Sequence, residues 1–374
     1  MKPMTFGILV VVTLAAIGGA YYATQERKEI TAGSFEKRPL YPDLLSRVNE
    51  VTELRVASQA DGSLTMRREG DGWVLAEKHN YPADFDKISQ NLVAVASMEI
   101  LEPKTKRPEN HADLFVEDVE APEGTITRSV RVTARAGADT VADLVVGKSR
   151  PVDVGGGVFV RKKDQDQVWL VDGSYQPNTK ALQWLDRNIV NVDSRRIVRV
   201  ELKHADGATA EAAKPDIASE DMAYASPVPE GKKPKPAHEM NNLANIPDFL
   251  ILDDVRPAEE MDWDGPTTLG RYTTYDGMTI VMTAVEEGDN TWFRLRAEPS
   301  ARDPRLDAFV EEHQGQDSPQ GRMADEMKPA ETVAEEIAAL NEKLAPWAYR
   351  FTAYKTDKAT SRPGDLLQDA SIGQ

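Results

Sequence analysis

The sequence contains no cysteine, and this absence excludes several kinds of site at once. Disulfide bonds, thiolate nucleophiles, cysteine-ligated zinc and iron–sulfur clusters all require cysteine sulfur. The fold must therefore be stabilised by packing and hydrogen bonding. A chain without thiols also suits an oxidising compartment such as a bacterial periplasm.

Histidine is scarce, and negative charge outweighs positive charge. The five histidines are His79, His111, His204, His238 and His313, and no two of them have the spacing of a metal-binding helix. Asp and Glu number 62 against 45 Lys and Arg, which gives a formal net charge of −17. An acidic surface repels phosphate backbones, so the composition disfavours nucleic-acid binding.

The motifs of common phosphate-binding and nucleophilic sites are also missing. The glycines at 155–157 lack the Gly-Lys-Ser/Thr ending of a phosphate loop, and the chain has no G-x-S-x-G elbow. Residues 262–265 resemble the start of a calcium loop, but Thr273 stands where an acidic ligand is needed. Both segments are interpreted as turns, and no metal or cofactor is expected.

One long hydrophobic run is present, at residues 5–23, and it carries no charge. At 1.5 Å per residue, a helix of this length spans about 28 Å, which is close to the hydrocarbon thickness of a bilayer. We therefore predict a transmembrane anchor over residues 1–24 and a juxtamembrane connector over 25–47. The apolar side chains expected to contact lipid are Phe6, Ile8, Leu9, Val10, Val11, Val12, Leu14 and Ile17.

The fate and orientation of this segment are argued from its flanks. The small residues Gly18, Gly19 and Ala20 would suit a signal-peptidase site, but the run exceeds the usual signal-peptide core of about 7 to 15 residues, which favours an uncleaved anchor. Arg27 and Lys28 favour a cytoplasmic body by the positive-inside rule. Long domains cross largely regardless of charge, and we predict an exported body on that ground.

The rest of the chain contains a faint internal repeat. In the first copy, over 48–190, short alternating strands are joined by turns such as Asp61-Gly62. An amphipathic helix follows, with Phe85, Ile88 and Leu92 spaced for one buried face. The second copy, over 191–356, repeats the strand, a turn at Asp206-Gly207, a short helix and the strand after it.

The predicted fold class is α+β, with the transmembrane helix followed by two tandem repeats, each a mostly antiparallel sheet with packed helices. Each copy is expected to end in a helix, at 179–186 and 332–344, the second with a capping box from Thr332 and Glu335. Polar stretches near 210–239 and 313–329 are interpreted as mobile insertions. Residues 357–374 are interpreted as a polar tail that Leu366 and Leu367 could dock.

The segment that runs from Trp73 through the Tyr-Pro-Ala-Asp sequence at 81–84 into the following helix resembles a bacterial family called domain of unknown function 4340. The family pattern continues with a G-K strand, a "yvR" strand and a "vylv" strand. The corresponding segments here are 146–148 (VGK), 158–161 (VFVR) and 168–171 (VWLV). The likeness covers much of the body and supplies no catalytic residues.

The resemblance implies a single-anchor envelope protein that works beside a gliding-motility-type ABC transporter. The expected role is an auxiliary, non-ATPase subunit at the bacterial inner membrane, with a periplasmic body that binds and scaffolds and is not an enzyme. Its partners would be the integral-membrane and ATPase subunits, and the lipid bilayer through the N-terminal helix.

Two alternatives stay open at this point. The carboxylate pairs Asp84 with Asp86 and Asp253 with Asp254 could belong to an envelope hydrolase that acts on glycans or lipids. A periplasmic ligand-binding module would instead show a deep pocket, expected between the two copies.

Overall fold

A computed structural model describes residues 37–120, 126–265 and 267–370. The predicted anchor at residues 5–23 lies outside these ranges. Within them, no helix combines the length and apolar character that crossing a bilayer requires.

The strands alternate with turns along the whole described chain. The first ten are β1 (Arg38–Pro39), β2 (Glu53–Ser58), β3 (Gly62–Glu69), β4 (Gly72–Leu75), β5 (Tyr81–Pro82), β6 (Glu99–Pro103), β7 (Val130–Ala136), β8 (Asp139–Ser149), β9 (Val158–Lys162) and β10 (Val168–Val171). The remainder are β11 (Asn188–Val190), β12 (Ile197–His204), β13 (Thr209–Ala213), β14 (Ala223–Tyr224), β15 (Lys232–Pro234), β16 (Leu250–Pro257), β17 (Thr268–Thr274), β18 (Met278–Glu287), β19 (Asn290–Pro299), β20 (Trp347–Phe351) and β21 (Leu367–Asp369).

Helices are fewer and mostly short. In chain order they are α1 (Leu44–Arg47), α2 (Phe85–Ala96), α3 (His111–Leu114), α4 (Ala237–Ala244), α5 (Leu306–His313), α6 (Pro319–Glu326), α7 (Ala330–Leu344) and α8 (Ala353–Ala359). With two large antiparallel sheets beside them, these helices confirm the α+β class.

The chain divides into two units, and neither is one continuous stretch. The first unit consists of the described parts of Met1–Arg68 and Asp86–Thr179, and the second of Glu69–Phe85 and the described part of Lys180–Gln374. The hairpin of β4 and β5 therefore belongs to the second unit, although its sequence lies within the first predicted copy.

The two units share one strand order. In the first unit the order is β1-β6-β10-β9-β8-β7-β2-β3, and in the second it is β11-β16-β20-β19-β18-β17-β12-β13, followed by β14. Adding ten to each of these eight strand numbers of the first unit gives the order in the second, so the repeat predicted from the sequence is a repeat of topology. Gly62 and Gly207 sit at the same turn in each copy with φ of 77° and 87°, a region that glycine enters without steric cost.

Side-chain burial follows the alternation of the strands. In the first unit Leu54, Val56 and Met66 are buried on the β2–β3 pair, and Ile88 and Leu92 are buried on the first-unit part of α2. In the second unit Phe293 and Phe351 stack with ring centroids 4.2 Å apart. Apolar burial of this kind, at about 25 cal/mol per Å², supplies the main stabilising term for both sheets.

Two details of the helical predictions are wrong. Phe85, placed on the buried face of α2, is 61% exposed, because it is the first helical residue and its side chain points back beyond the buried stripe. The helix α7 starts at Ala330 with Pro329 as its N-cap residue, so Thr332 lies inside the first turn and does not cap the helix.

The closing helix predicted at 179–186 is only a three-residue 3-10 turn, Ala181–Gln183. The backbone beyond that turn pairs elsewhere in the second unit: Asp84 donates its N–H to the carbonyl of Trp184, and Ala83 forms a bridge with Leu185. An extended pairing of this kind excludes the i to i+4 bonds of a helix.

The polar stretches and the tail contain ordered elements. Residues 210–239 include the short strands β14 and β15, and β15 pairs with β21 of the tail. Residues 313–329 include α6, whose Met323 packs with Tyr275 and Phe309. Leu366 and Leu367 are buried, which confirms that they dock the tail.

Candidate functional site

A tight turn before β12 provides the frame of the candidate site in the second unit. Asp193 accepts the backbone N–H of Arg195 at 2.8 Å and the Arg195 guanidinium at 2.8 and 2.5 Å. Arg195 also donates to Glu326 on α6 at 2.8 Å. These charge-assisted bonds fix the turn, and with it the direction of the Arg195 carbonyl.

The next residue, Arg196, is the centre of a buried charge cluster. Its guanidinium donates to Asp276 at 2.8 Å and to Glu336 on α7 at 2.8 and 2.9 Å. Burial pushes the pKa of Glu336 upward, but hydrogen bonds and charge from Arg196 and Lys328 outweigh it, and the net pKa is lowered. Because every charge here is paired, the cluster holds β12, α7 and the Asp276 turn together.

Lys214, directly after β13, is buried without a carboxylate partner. It is 9% exposed, and its Nζ donates to the carbonyl of Arg195 at 3.1 Å and lies 4.0 Å from the sulfur of Met323. Burial is the main cause that lowers the pKa of Lys214, to about 8; Asp193 and Glu220 oppose the shift from a distance, and Arg195 adds to it. Among the described residues, no carboxylate lies within ion-pair distance of this ammonium.

The ammonium lines a cavity of about 210 Å³. Ser194, Lys214, Glu220, Met222, Asn241 and Asn245 form most of its wall. Asn241, on α4, is held in place because its side chain donates to Asp221 at 2.7 Å and accepts the Met222 N–H at 2.8 Å. The wall is therefore mainly polar and partly rigid.

An exposed apolar turn lies just after α4 in the same unit. Phe249 is 71% exposed and has φ of 45°, a conformation that is unusual for a bulky residue. Lys355 on α8 donates to the carbonyls of Ile246 and Asp248 at 3.3 and 2.9 Å, and Asn191 accepts the Phe249 N–H at 3.2 Å. The backbone is thus clamped in a shape that presents an aromatic ring to solvent.

Ile251 extends this apolar surface along β16. It is 38% exposed, whereas Leu250 and Leu252 on the opposite face are fully buried. Phe249 lies in the turn directly before β16 and Ile251 on the strand itself, and both side chains are exposed. We refer to Phe249 and Ile251 together as the apolar edge.

The histidines discussed from the sequence have local roles. His111 contacts the carbonyl of Asp166 at 3.0 Å, and buried His204 contacts the carbonyl of Ser361 and the hydroxyl of Thr268, each at 3.1 Å. Across residues 37–120, 126–265 and 267–370, no three His, Asp or Glu side chains are grouped as metal ligands.

Three of the acidic residues singled out from the sequence have partners in the second unit. Asp254 pairs with Lys78 at 2.6 Å, and Asp253 pairs with Arg350 at 3.2 Å. Asp262 accepts the backbone N–H of Asp264 at 2.9 Å, which confirms a turn there. The anchor residues Phe6 to Ile17 lie outside the described ranges.

Neither Lys214 nor Phe249 stands out in the sequence. Lys214 ends a polar Ala-Glu-rich strand, and its burial depends on contacts with Arg195 and Met323 that are distant along the chain. Phe249 begins the apolar FLIL run and reads as a strand residue. A phenylalanine that follows directly after Pro-Asp was the one local sign of a turn.

The fold and these features define a class: an α+β protein made of two copies of one antiparallel unit, with a polar cavity and an apolar edge in the second. The chain belongs to the family described as Domain of unknown function (DUF4340), whose model matches residues 73–262, just over half of the sequence. The matched range contains Lys214 and Phe249. Neither the curated proteins nor the solved structures include a match to this chain.

Proposed function

We propose that this protein is a membrane-anchored auxiliary subunit of an ABC-type transport complex, with a non-catalytic role of binding and scaffolding. The uncharged run at 5–23 would hold it in the bacterial inner membrane as a single-pass protein, with its body in the periplasm. Membership of the family supports the proposal, because the resemblance that it confirms is the one that implies transporter partners.

The apolar edge is the observation that carries the binding role. A clamped backbone holds Phe249 at positive φ, which costs roughly 1–2 kcal/mol, and leaves its ring exposed. Burying such a side chain against another protein would recover about 1.5–3 kcal/mol. Exposed aromatic residues on rigid backbone are typical anchors of protein–protein interfaces.

The test is co-purification of the full-length protein from detergent-solubilised membranes. We expect permease or ATPase subunits to accompany the wild-type protein, and the variant Phe249→Asn to bind them roughly thirtyfold more weakly and recover correspondingly less, because a central aromatic anchor contributes at least about 2 kcal/mol. Asparagine accepts positive φ readily, so this variant should keep the turn intact.

The matched control is Val152→Asn, which removes an apolar side chain that is 88% exposed in the first unit. Its recovery of partners should equal that of the wild type. If no transporter subunit accompanies the wild-type protein, the proposed function loses its support.

The two alternative functions, an envelope hydrolase and a ligand-binding module, rest on different residues. Of the four carboxylates considered for a hydrolase, Asp253 and Asp254 are used in ion pairs with Arg350 and Lys78. A ligand-binding role is favoured by one specific observation, the cavity at Lys214.

A further inference from the structure

We infer that the cavity at Lys214 binds a small zwitterion of amino-acid size, with a carboxylate at Lys214 and an ammonium group near Glu220. This inference goes beyond the proposed scaffolding role and concerns a different surface of the second unit.

The hydrogen-bonding capacity of Lys214 favours a carboxylate on the ligand at this end of the cavity. An ammonium group has three donors, and here the group reaches one carbonyl oxygen and otherwise faces a thioether and, 5.7 Å from its centroid, the ring of Tyr275, which are weak acceptors. A buried charge without a strong partner is costly, and the lowered pKa of Lys214 reflects that cost. A carboxylate inside the cavity would pair the charge and accept a stronger hydrogen bond from the ammonium than the thioether or the ring can.

The residues at the rim of the cavity favour an ammonium group at the other end of the ligand. Glu220 and Asn245 are exposed, and both line the same cavity as Lys214. A carboxylate and an amide oxygen are acceptors for an ammonium group. The cavity therefore offers a cation at depth and acceptors at its mouth, which is the charge pattern that matches a zwitterion.

Charge and size narrow the ligand further. Among the charges that act on Lys214, the carboxylates of Asp193 and Glu220 outnumber the guanidinium of Arg195, so a dianion such as phosphate would meet repulsion that a monocarboxylate with its own positive charge avoids. The cavity of about 210 Å³ equals roughly seven water volumes at about 30 Å³ each. That volume admits a small amino acid. Buried Met222 and Ala244 offer apolar contact for a short side chain.

The experiment is a calorimetric titration of the full-length protein in detergent micelles at pH 7, with L-serine, acetate and inorganic phosphate as separate probes. We expect L-serine to bind more tightly than acetate, and phosphate to bind most weakly. Lys214→Met should weaken L-serine binding at least tenfold, since a charge-assisted bond to a buried group is lost. Lys203→Met, at an exposed position on β12, is the matched control and should bind as the wild type does.

A second variant separates binding from folding. Glu220→Gln changes only an exposed side chain, and it should weaken L-serine binding while leaving acetate binding equal or stronger. The inference is overturned if wild-type protein binds no L-serine at about 10 mM, a concentration above the Kd of even weak specific sites. It is also overturned if phosphate binds more tightly than L-serine, or if Glu220→Gln affects both probes equally. None of these outcomes depends on the recovery of transporter subunits.

Discussion

At the scale of single residues, Lys214 shows how position decides the behaviour of a basic side chain. Its backbone N–H donates to the carbonyl of Val198 at 2.9 Å, as the N–H of Arg68 in the first unit donates to that of Thr52 at 2.9 Å. Arg68 is exposed, whereas Lys214 is buried beside a cavity. The two copies therefore share this backbone hydrogen bond, but the side chain at the corresponding position is buried in one copy and exposed in the other.

The lowered pKa of Lys214 predicts a pH dependence of stability. Its pKa is about 8 in the folded protein, against about 10.4 in an unfolded chain. Between these values the unfolded state binds more protons, so the free energy of unfolding rises with pH, by at most about 3 kcal/mol for this group. Burial raises the pKa of Tyr272 and Tyr349, which acts in the opposite sense above about pH 10.

The measurement is the melting temperature of the protein between pH 7.5 and 9.5, followed by circular dichroism. Lys214→Met should reduce the slope and should be as stable as the wild type or more stable at pH 7, because an unpaired buried charge is replaced by an apolar side chain of similar length. Lys203→Met is the control and should keep the slope. An unchanged slope in Lys214→Met would contradict this account.

At the scale of elements, the C-terminal segment is held to the second unit by strand pairing, burial and a hydrogen bond. The strand β21 pairs with β15, and Leu366 is buried beside it. Ser361, just before, accepts a contact from buried His204 on β12. A tail that reads as polar in sequence is therefore tied to two separate parts of the sheet region.

We expect Leu366→Ala to destabilise the second unit by about 2–4 kcal/mol, the usual cost of a buried leucine truncation. Urea unfolding monitored by tryptophan fluorescence would measure it. Leu45→Ala, at a leucine of α1 that is 60% exposed, is the matched control and should change the free energy of unfolding by less than about 0.5 kcal/mol. A neutral Leu366→Ala would show that the tail does not stabilise the sheet.

The elements also show what the sequence could predict. Strands bounded by Asp-Gly turns and the buried face of α2 follow from local pattern, because turn chemistry and periodicity are local properties. The pairing of β15 with β21 joins segments more than 130 residues apart and has no periodic signal. The burial of Lys214 and the exposure of Phe249 depend on such distant contacts, so the candidate site could not be located in advance.

At the scale of the whole molecule, the acidic body and the hydrophobic N-terminal run have opposite solvent preferences. The full sequence carries a formal net charge of −17, which favours water, whereas about 20 uncharged residues near its start favour lipid. The anchored subunit proposed above would need this combination.

We therefore expect the full-length protein to stay in the membrane fraction after an alkaline carbonate wash, with its N-terminal residues still present by mass spectrometry. A variant that lacks residues 1–24 should be released, because the apolar run that favours lipid is gone. Replacing the lipid-facing set with a scrambled run of the same composition is the control and should preserve attachment. Recovery of a soluble protein that has lost its first twenty or so residues would contradict the anchored arrangement.

The interleaving of the two units has a consequence for synthesis on the ribosome. Tyr81, in the β4–β5 hairpin, packs its ring 4.9 Å from that of Trp347 within the second unit. At about 5–20 residues per second, the ribosome adds Trp347 roughly 13 to 50 seconds after Tyr81 has been made. For that interval the nascent hairpin lacks its aromatic partner, and an apolar surface of this kind is one that chaperones recognise.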